Sequence, residues 1–337
     1  METRLLGPDA VETAADFEAV VSAVEDAFAA DARGDAQMPA KSYVDLPEYD
    51  GDFRSRPVYL DARGTDTAGS WDAAAVKWVN VHPDNEEQFD LPTVMGTIIY
   101  SDPRNAFPLA LLDGTTITRM RTGAAAAVAT RHLAPEAATS LGLVGAGTQA
   151  YAQLEAIATV RDIDEVVVSD VDPEAVAAFI DAFEDDYDVR EGAIEEAATC
   201  DVLSTLTPVR EPIVDAVGPN THVNAMGADA AGKHEIADEI LRDATLVIDD
   251  YEQCTHSGEI NVPWSEGLLD DEDIYAELGD IVMDAIAGRG ESGGPEGVTV
   301  FDSTGLAIQD VAAAHVAYEQ AEAADTGTPF SLVGTEV

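Results

Sequence analysis

The sequence predicts an α/β protein in which a doubly wound parallel sheet accompanies a smaller α+β domain. Its 337 residues, 46% of them hydrophobic, exceed what one compact core usually holds and suit two domains. From Thr139 onward, short apolar runs alternate with helical stretches, which is typical of a parallel sheet covered by helices. Before that point, strand-like segments follow one another without intervening helices.

The first part of the chain predicts a helix and a small sheet. Thr13 opens a helical pattern with Asp16 three residues on, as in a variant of the capping box. A loop is expected over Asp35–Asp52, which contains two prolines and a glycine. The long alanine-rich stretch Thr115–Leu133 predicts a helix. The expected strands are Val58–Leu60, Val76–Val81, Thr97–Tyr100 and Phe107–Leu112.

The second part predicts six strands and a closing helix. Leu306–Ala324 is the helix, and Gly288–Gly297 is an expected exposed loop. The strands are Ser140–Val144, Glu165–Asp170, Asp201–Leu206, His222–Met226, Thr245–Asp250 and Val298–Asp302.

The charge of the chain is extreme, with 66 acidic and 17 basic residues and a net charge of -49. Such a surface repels nucleic acid and anionic membranes, so neither is expected as a partner. The apolar content argues against a disordered acidic chain. We expect a folded protein adapted to high salt, because a Debye length of about 3 Å at 1 M screens its self-repulsion.

The sequence contains no segment typical of export or of a membrane span. The first 34 residues lack a basic region followed by an apolar one, and no apolar run is long enough to cross a bilayer. We therefore expect a cytoplasmic protein. The two cysteines and the scattered histidines have no metal-ligand spacing, so no metal is expected.

A glycine motif indicates a dinucleotide site. Gly145-x-Gly147-x-x-Ala150 directly follows the apolar run Leu141–Val144 and opens a helical pattern. Gly145 allows a tight turn, and Gly147 lets the backbone approach a pyrophosphate. The motif in this context predicts a Rossmann fold. The helix start is expected to donate hydrogen bonds to the pyrophosphate through Thr148 and Gln149.

A second part of the same site follows the next strand, which ends at Asp170 about twenty residues beyond the motif, as the fingerprint requires. A carboxylate there accepts hydrogen bonds from the ribose hydroxyls and repels a 2′-phosphate, which favours NAD over NADP. The alternative is that Asp170 is one more acid of a halophilic surface. Its neighbours Val171 and Asp172 are grouped with it as cofactor-binding residues.

The basic residues are few enough to be informative. Lys41, Lys77 and Lys233 are the three lysines of the chain. Lys77 lies in an apolar run, where a lysine either snorkels from a strand edge or serves chemistry. Arg54 and Arg56 follow the predicted loop and suit bidentate binding of a carboxylate, although either could be a surface arginine.

Several segments, in this order and spacing, resemble the ornithine cyclodeaminase/mu-crystallin family over nearly the whole chain. Four of them, MPAK, GTQAYAQLEA, GADAAGK and DSTGLAIQD, resemble its archaeal alanine dehydrogenase branch. The wider set is AQMPAKSYVDL, GDFRSRP, VKWVNVHPDN, LPTVMGTIIY, PLALLDGTTITRMRTGAAAA, LVGAGTQAYAQLEA, THVNAMGADAAGKHE, DDYEQCTHSGEIN and FDSTGLAIQDVA.

The resemblance implies a homodimer of two-domain subunits. A substrate-binding and dimerisation domain, residues 1–125 plus 306–337, would carry an inserted Rossmann domain, residues 126–305. The implied activity is NAD-dependent oxidative deamination of a small amino acid, L-alanine in that branch. Ornithine cyclodeamination, reduction of a ketimine or pyrroline-2-carboxylate, and a binding role like that of mu-crystallin are the alternatives.

The resemblance also implies roles for individual residues. Lys77 takes the position of the catalytic lysine, and we expect burial and nearby Arg54 and Lys41 to lower its pKa. Arg54 would bind the substrate carboxylate with help from Lys41. Arg121 would lie near the cofactor phosphates or the substrate. Asp229 would be the second catalytic residue beside the reacting carbon, at the end of a predicted strand. The remaining cofactor contacts are Gly227, Ala228, Lys233 and Ser303.

Overall fold

The computed structural model describes residues 2–64 and 70–334 of the chain. Its backbone forms two compact units. Unit 1 comprises Met1–Arg121 with Ala307–Val337, and unit 2 comprises Thr122–Leu306. The chain therefore leaves unit 1 once and returns to it for its last helix.

Unit 1 contains a mixed sheet with the strand order β16-β1-β7-β6-β5-β4-β2, to which β3 is added by its own pairing with β4. The strands from β7 to β4 are antiparallel neighbours, whereas β1 runs parallel to β7. The strands are β1 (Thr3–Leu6), β2 (Ala36–Gln37), β3 (Ser42–Leu46), β4 (Gly51–Asp61), β5 (Asp72–Val81), β6 (Val94–Ser101), β7 (Pro108–Asp113) and β16 (Thr328–Phe330).

Three helices of unit 1, α1, α2 and α12, pack against the sheet. Helix α12 packs against α2 and lies across β4, β5 and β6. Buried apolar side chains such as Val24, Phe28, Leu60 and Ile98 fill this region. The helices are α1 (Pro8–Ala14), α2 (Phe17–Ala32), α3 (Asn85–Phe89), the first part of α4 (Gly114–Leu133) and α12 (Ala307–Ala323), with a 3-10 turn at Pro47–Tyr49.

Two sequence-based predictions in unit 1 are wrong. Helix α2 begins at Phe17, four residues after Thr13, because Asp16 caps it by accepting a hydrogen bond from the Ala19 N–H at 2.9 Å. The Thr13 hydroxyl, near the end of α1, instead donates to the carbonyl of Asp9 in the first turn of that helix. The expected loop Asp35–Asp52 contains the short strands β2 and β3, which the long strand β4 recruits by antiparallel pairing.

Unit 2 contains a fully parallel sheet in the order β10-β9-β8-β11-β12-β15-β13-β14. The chain runs outward from β8 to β10 and then crosses to β11 on the other side of β8. This reversal defines a doubly wound Rossmann sheet, whose ligand site lies at the carboxyl ends of the strands. The strands are β8 (Ser140–Val144), β9 (Glu165–Ser169), β10 (Asp188–Glu191), β11 (Val202–Thr205), β12 (His222–Ala225), β13 (Thr245–Ile248), β14 (Ile274–Glu277) and β15 (Thr299–Asp302).

The remaining helices of unit 2 connect these strands. One of them, α7, packs closely against β8. A Cβ on Gly142 of β8 would lie 2.0 Å from the Ala197 carbonyl oxygen, so glycine allows α7 to approach the strand. The helices are α5 (Thr148–Ile157), α6 (Pro173–Phe183), α7 (Ile194–Ala197), α8 (Asp238–Asp243), α9 (Tyr251–Ser257), α10 (Asn261–Ser265) and α11 (Leu278–Val282).

The predicted fold class is confirmed. Each of the six strands expected in the second part of the chain is present with bounds within two residues of those predicted, and β10 and β14 are added at the two edges. Within residues 2–64 and 70–334, no helix combines the length and the apolar character needed to cross a membrane.

Candidate active site

Lys77 lies in the interior of the unit 1 sheet. Its strand, β5, is paired with β4 on one side and β6 on the other, and the residue is only 3% exposed. The possibility that it snorkels from a strand edge is therefore wrong. Arg56 of β4 is its direct cross-strand partner. Because opposed residues of adjacent strands project to the same face, both cations enter the space beneath α12.

The Lys77 ammonium has two partners from two helices. Its Nζ lies 3.1 Å from Asp310 Oδ1 of α12 and donates a hydrogen bond to Thr118 Oγ1 of α4. Asp310 also forms ion pairs with two guanidinium groups. Arg121 Nε lies 3.2 Å from Oδ1, and Arg56 Nη1 lies 3.6 Å from Oδ2. We call Lys77, Arg56, Thr118, Arg121 and Asp310 the lysine cluster.

The lysine cluster changes the ionisation of its members. Burial, together with the charges of Arg121 and Arg56, lowers the pKa of Lys77 to about 7, and Asp310 opposes this shift. Burial acts to raise the pKa of Asp310, but the charges of Lys77, Arg56 and Arg121 outweigh it and lower that pKa to about 2. A lysine that is partly neutral at neutral pH can serve as a general base or acid.

The depressed pKa of Lys77 was expected, but the predicted cause was only partly right. Burial contributes as expected, and the largest effects of charge come from Asp310, Arg121 and Arg56, whereas Arg54 and Lys41 are not among the main causes.

Arg54 makes its ion pair elsewhere on the same strand. Its Nε and Nη2 donate to the two carboxylate oxygens of Asp52, both at 2.9 Å, and its guanidinium lies 5.6 Å from the centre of the Tyr43 ring. Its side chain is 24% exposed, compared with 9% for Arg56 and for Arg121. Arg54 is therefore the more accessible guanidinium. Lys41 directly precedes β3 and is half-buried.

The glycine motif of unit 2 has the geometry that a pyrophosphate site needs. Gly145 has a φ of +108°, and a Cβ there would lie 3.1 Å from the Leu206 Cβ. Gly147 forms the N-cap of α5, and a Cβ on it would meet no atom within 4 Å. Open space in front of a helix N-terminus is where a phosphate can accept backbone hydrogen bonds. Thr148 and Gln149 are the first residues of α5, as predicted from the motif.

Asp170 links the glycine motif to the second strand. Its carboxylate accepts hydrogen bonds from the Ala146 N–H at 2.6 Å and the Asp172 N–H at 2.9 Å. Asp172 caps α6 by accepting a hydrogen bond from the Glu174 N–H, and Val171 is fully exposed between the two acids. Asp170 thus holds the loop in place, at the end of β9 where a ribose-binding acid is expected.

The other predicted cofactor residues of unit 2 also follow strands of this sheet. Gly227, Ala228 and Asp229 come after β12, and Asp229 forms an ion pair with Lys233. Ser303 follows β15, is buried, and donates its hydroxyl to Asp249 at 2.8 Å. Unit 2 therefore brings these predicted cofactor-binding residues to one edge of the sheet. The hydroxyl of Ser303, however, is hydrogen-bonded to the carboxylate of Asp249.

Two buried carboxyl groups, which were not predicted from the sequence, form hydrogen bonds with the loops that follow these strands. Asp249 accepts hydrogen bonds from Ser303 and from the Gly305 N–H, and burial raises its pKa. Asp302 accepts from the N–H groups of Glu259 and Ile260, and burial raises its pKa to about 7. In a chain with so many acids, nothing in the sequence distinguishes these from surface carboxylates.

The lysine cluster likewise contains residues without a sequence signal of their own. Asp310 and Thr118 were not predicted as site residues, and Arg56 was considered only beside Arg54. One sequence feature could have indicated Asp310 as a site residue. It is an acid followed by the apolar helical run that the sequence places near the end of the chain. No group of three or more histidine, cysteine or acidic side chains suited to a metal ion occurs in the described part of the chain.

Comparison with known proteins agrees with this architecture. The model of the ornithine cyclodeaminase/mu-crystallin family matches residues 1–325. The chain belongs to this family.

It is 44% identical to the alanine dehydrogenase of Archaeoglobus fulgidus over 98% of this chain and 99% of that protein. It is 35% identical to a Delta(1)-pyrroline-2-carboxylate reductase of Bacillus cereus, over 74% and 78% of the two chains. It is also 35% identical to an L-lysine cyclodeaminase of Streptomyces rapamycinicus, over 81% and 82%.

Solved structures of the family superpose over almost the whole chain. An archaeal alanine dehydrogenase dimer with bound NAD gives a TM-score of 0.90 at 44% identity and covers 99% of this chain and 100% of that chain. The Delta(1)-pyrroline-2-carboxylate reductase of Thermococcus litoralis, in complex with NADH and L-proline, gives 0.88 at 33% identity, covering 97% and 99%. Membership of the ornithine cyclodeaminase/mu-crystallin family makes the chain an enzyme of the oxidoreductase or deaminase type. Its substrate is a separate question.

Proposed function

We propose that the protein is an NAD-dependent alanine dehydrogenase, which converts L-alanine, NAD⁺ and water to pyruvate, ammonium, NADH and a proton. The observation that carries the proposal is the lysine cluster, in which a buried lysine with a pKa of about 7 lies among guanidinium groups. The identity of 44% to an alanine dehydrogenase over nearly the full length supports the choice of substrate.

Unit 2 is the proposed NAD-binding unit, and its residues fit the group. The N-terminus of α5, with Gly147 open in front of it, would hold the pyrophosphate. Asp170 would accept hydrogen bonds from the ribose hydroxyls, which favours NAD over NADP. Gly227, Ala228, Asp229, Lys233 and Ser303 remain proposed contacts, because they share the same strand ends. When bound, NAD⁺ supplies the hydride acceptor for the substrate α-carbon.

Unit 1 is the proposed substrate-binding unit. We assign the substrate carboxylate to Arg54, with Lys41 in support, because Arg54 is more exposed than Arg56 and Arg121 and its guanidinium plane is fixed by Asp52. Arg56 and Arg121 point at Asp310 and act mainly on Lys77. The position of Arg121 in the lysine cluster favours a role beside the substrate over one at the cofactor phosphates.

Lys77 is the proposed general base and acid. In its neutral form it removes a proton from the substrate ammonium, so that the nitrogen lone pair can assist departure of the hydride from Cα. After that proton has passed to solvent, the neutral lysine takes a proton from the water that adds to the resulting iminium carbon. It returns this proton to the nitrogen, so that ammonia leaves and takes up the remaining hydroxyl proton as ammonium. Asp229 is a second proposed catalytic carboxylate, and it forms an ion pair with Lys233.

Imine reduction is the second candidate, since pyrroline-2-carboxylate reductases match this chain in sequence and in structure. It uses the same hydride step in reverse. Cyclodeamination of a diamino acid is less well supported, because such a substrate brings a second ammonium group. The lysine cluster presents Arg56, Arg121 and Lys77 against the one carboxylate of Asp310, which repels an additional cation.

The first experiment follows NADH formation by the purified protein in concentrated KCl with NAD⁺ and L-alanine, and compares Lys77→Ala. We expect turnover with alanine and a loss of about 10²- to 10⁴-fold in kcat for the variant, as for removal of a general base. Proline formed from L-ornithine without net NADH would replace the proposal with cyclodeamination. NADH consumption with a cyclic imine alone would replace it with imine reduction.

The oligomeric state is a further part of the proposal. The archaeal alanine dehydrogenase of known structure is a dimer, and we propose that this chain also forms a homodimer. Light scattering coupled to size-exclusion chromatography in concentrated KCl measures the mass directly. A mass of one subunit, 35.5 kDa, would contradict this part alone.

A further inference from the structure

Lys77 Nζ is held between two acceptors on different helices. Asp310 Oδ1 lies 3.1 Å away on α12, and Thr118 Oγ1 accepts a second hydrogen bond on α4. Both contacts are within unit 1, and the side chains of Lys77 and Asp310 are each 3% exposed. The ion pair between Lys77 and Asp310 is therefore shielded from water.

The donor and acceptor roles in this arrangement are determined. The Thr118 hydroxyl donates to the Gly114 carbonyl oxygen at 2.5 Å, so its oxygen can only accept from Lys77. Gly114 opens α4, and Asp113 caps this helix by accepting from the Thr116 N–H at 2.7 Å. A capped helix end thus fixes the acceptor that Thr118 presents.

Asp310 is fixed in a similar way. It lies in the first turn of α12, where a negative charge is favourable, and Arg121 Nε is 3.2 Å from the same oxygen that contacts Lys77. Arg56 Nη1 is 3.6 Å from its other oxygen. Two guanidinium groups therefore hold the carboxylate that orients the amine.

A neutral primary amine has two N–H bonds and one lone pair. When Asp310 and Thr118 accept from the two N–H bonds, the lone pair is left in one defined direction. We propose that Asp310 and Thr118 are positioning residues that orient the lone pair of Lys77 and hold the amine ready to exchange a proton with the substrate. This inference rests on the proposed function of Lys77 as the general base, and it adds two residues that act through it.

The charged groups facing Lys77 come from three elements. Asp310 of α12 favours its protonated form, whereas Arg121 of α4 and Arg56 of β4, together with burial, favour the neutral form. The neighbouring strand β6 contributes the apolar Ile98 opposite Lys77. Loss of the Asp310 charge therefore removes the main influence that raises the pKa of Lys77.

The test of Asp310 uses the small number of lysines. Protein grown with lysine labelled with carbon-13 at Cε gives signals from Lys41, Lys77 and Lys233, which Lys41→Arg and Lys233→Arg assign. We expect the Lys77 signal to titrate near pH 7 in the parent and at lower pH in Asp310→Asn. A Lys77 signal that titrates at the same pH in both proteins would overturn the inference. This titration needs no substrate, so absence of alanine turnover would overturn the proposed function alone.

Thr118 provides a second test that leaves the ion pair intact. Thr118→Val removes the acceptor and keeps the side-chain shape, and we expect kcat to fall by about 10- to 100-fold, the range for a misplaced catalytic group, with a smaller change in KM. Thr118→Ser retains the hydroxyl and should restore kcat. Equal kcat values for the two variants would contradict positioning by Thr118. This comparison also tests the inference if Asp310→Asn does not fold.

Discussion

Arg56 and Lys77 face each other directly across two antiparallel strands, with both side chains buried beneath α12. Like charges in such a pair destabilise a sheet. The structure compensates by placing the Asp310 carboxylate against both cations. The compensation is incomplete, because Arg56 still lowers the pKa of Lys77. An apparently unfavourable pair therefore adds to the effect of burial, which is the main reason why Lys77 is partly neutral at neutral pH.

Replacing Arg56 by methionine should change the pH dependence of the reaction. Loss of this charge raises the pKa of Lys77, because the opposing charge of Asp310 remains. In the parent, kcat/KM for oxidation of alanine should rise with pH through about 7, as the lysine loses its proton. In Arg56→Met, this rise should move to higher pH. The measurement is kcat/KM for alanine from pH 5.5 to about 9.5, the range in which a shifted lysine titrates.

The matched control is Arg63→Met, the same substitution at an exposed arginine of unit 1 that pairs with Asp61. It should leave the pH profile unchanged. A profile for Arg56→Met that coincides with that of the parent would show that Arg56 does not act on the catalytic base.

Arg54 should affect binding instead of the pH profile. Arg54→Met removes the proposed partner of the substrate carboxylate, and loss of a charge-assisted hydrogen bond of about 1.5–3 kcal/mol should raise KM for alanine by roughly 10- to 100-fold. The pH at which kcat/KM rises should stay near that of the parent. A KM unchanged in Arg54→Met but raised in Arg56→Met would move the carboxylate to Arg56.

The two motif glycines should respond differently to alanine. Gly145 has a φ of +108°, and the Cβ of an alanine there would lie 3.1 Å from the Leu206 Cβ, so Gly145→Ala should lower the free energy of unfolding by about 1–2 kcal/mol. Gly147 has a φ of -71° and open space, so Gly147→Ala should leave stability within about 0.5 kcal/mol. Thermal and denaturant unfolding in concentrated KCl measure both.

The effect of Gly147→Ala should be on cofactor binding and not on stability. In Gly147→Ala the added methyl group occupies the space that a pyrophosphate needs, so NAD affinity should fall by about tenfold or more, which corresponds to about 1.4 kcal/mol. Isothermal titration with NAD⁺ measures this. Unchanged affinity in Gly147→Ala would mean that the pyrophosphate does not approach the backbone at this residue.

The Rossmann unit could be predicted because its signals are local. Alternating apolar runs locate the strands, and Gly145 and Gly147 are required by backbone conformation and by ligand approach. The start of α2 was misplaced because Thr13 and Asp16 both resemble caps, and the hydrogen bond to Ala19 decides between them. Strands β2 and β3 were missed because β4 stabilises them by pairing, which no local pattern records.

The lysine cluster was only partly predictable for a different reason. Lys77 stood out because a lysine within an apolar run is unusual. Asp310 lies more than two hundred residues away in the chain and reaches Lys77 only through the packing of α12 on β5. Arg54 and Arg56 lie on the same face of β4, and their different partners, Asp52 and Asp310, follow from tertiary structure.

Asp170 should control the choice between NAD and NADP. Asp170→Asn keeps an acceptor oxygen for the backbone N–H groups of Ala146 and Asp172 but removes the charge that repels a 2′-phosphate. We expect the ratio of kcat/KM for NAD⁺ to that for NADP⁺ to fall by about tenfold or more, since a hydrogen bond to a charged group contributes about 1.5–3 kcal/mol. Asp185→Asn, at an exposed acid that follows α6, should leave the ratio unchanged. Equal ratios in all three proteins would make Asp170 a loop-holding residue only.

The net charge of -49 predicts that folding depends on salt. Between 0.1 M and 1 M KCl the Debye length falls from about 10 Å to about 3 Å, which screens repulsion among the surface carboxylates. The thermal unfolding midpoint should therefore rise steadily over this range. Each 1 kcal/mol of relieved repulsion corresponds to about 2–4 °C for a unit of 150–250 residues. Calorimetry at constant pH measures the midpoint, and a midpoint that stays constant or falls with KCl would contradict adaptation to high salt.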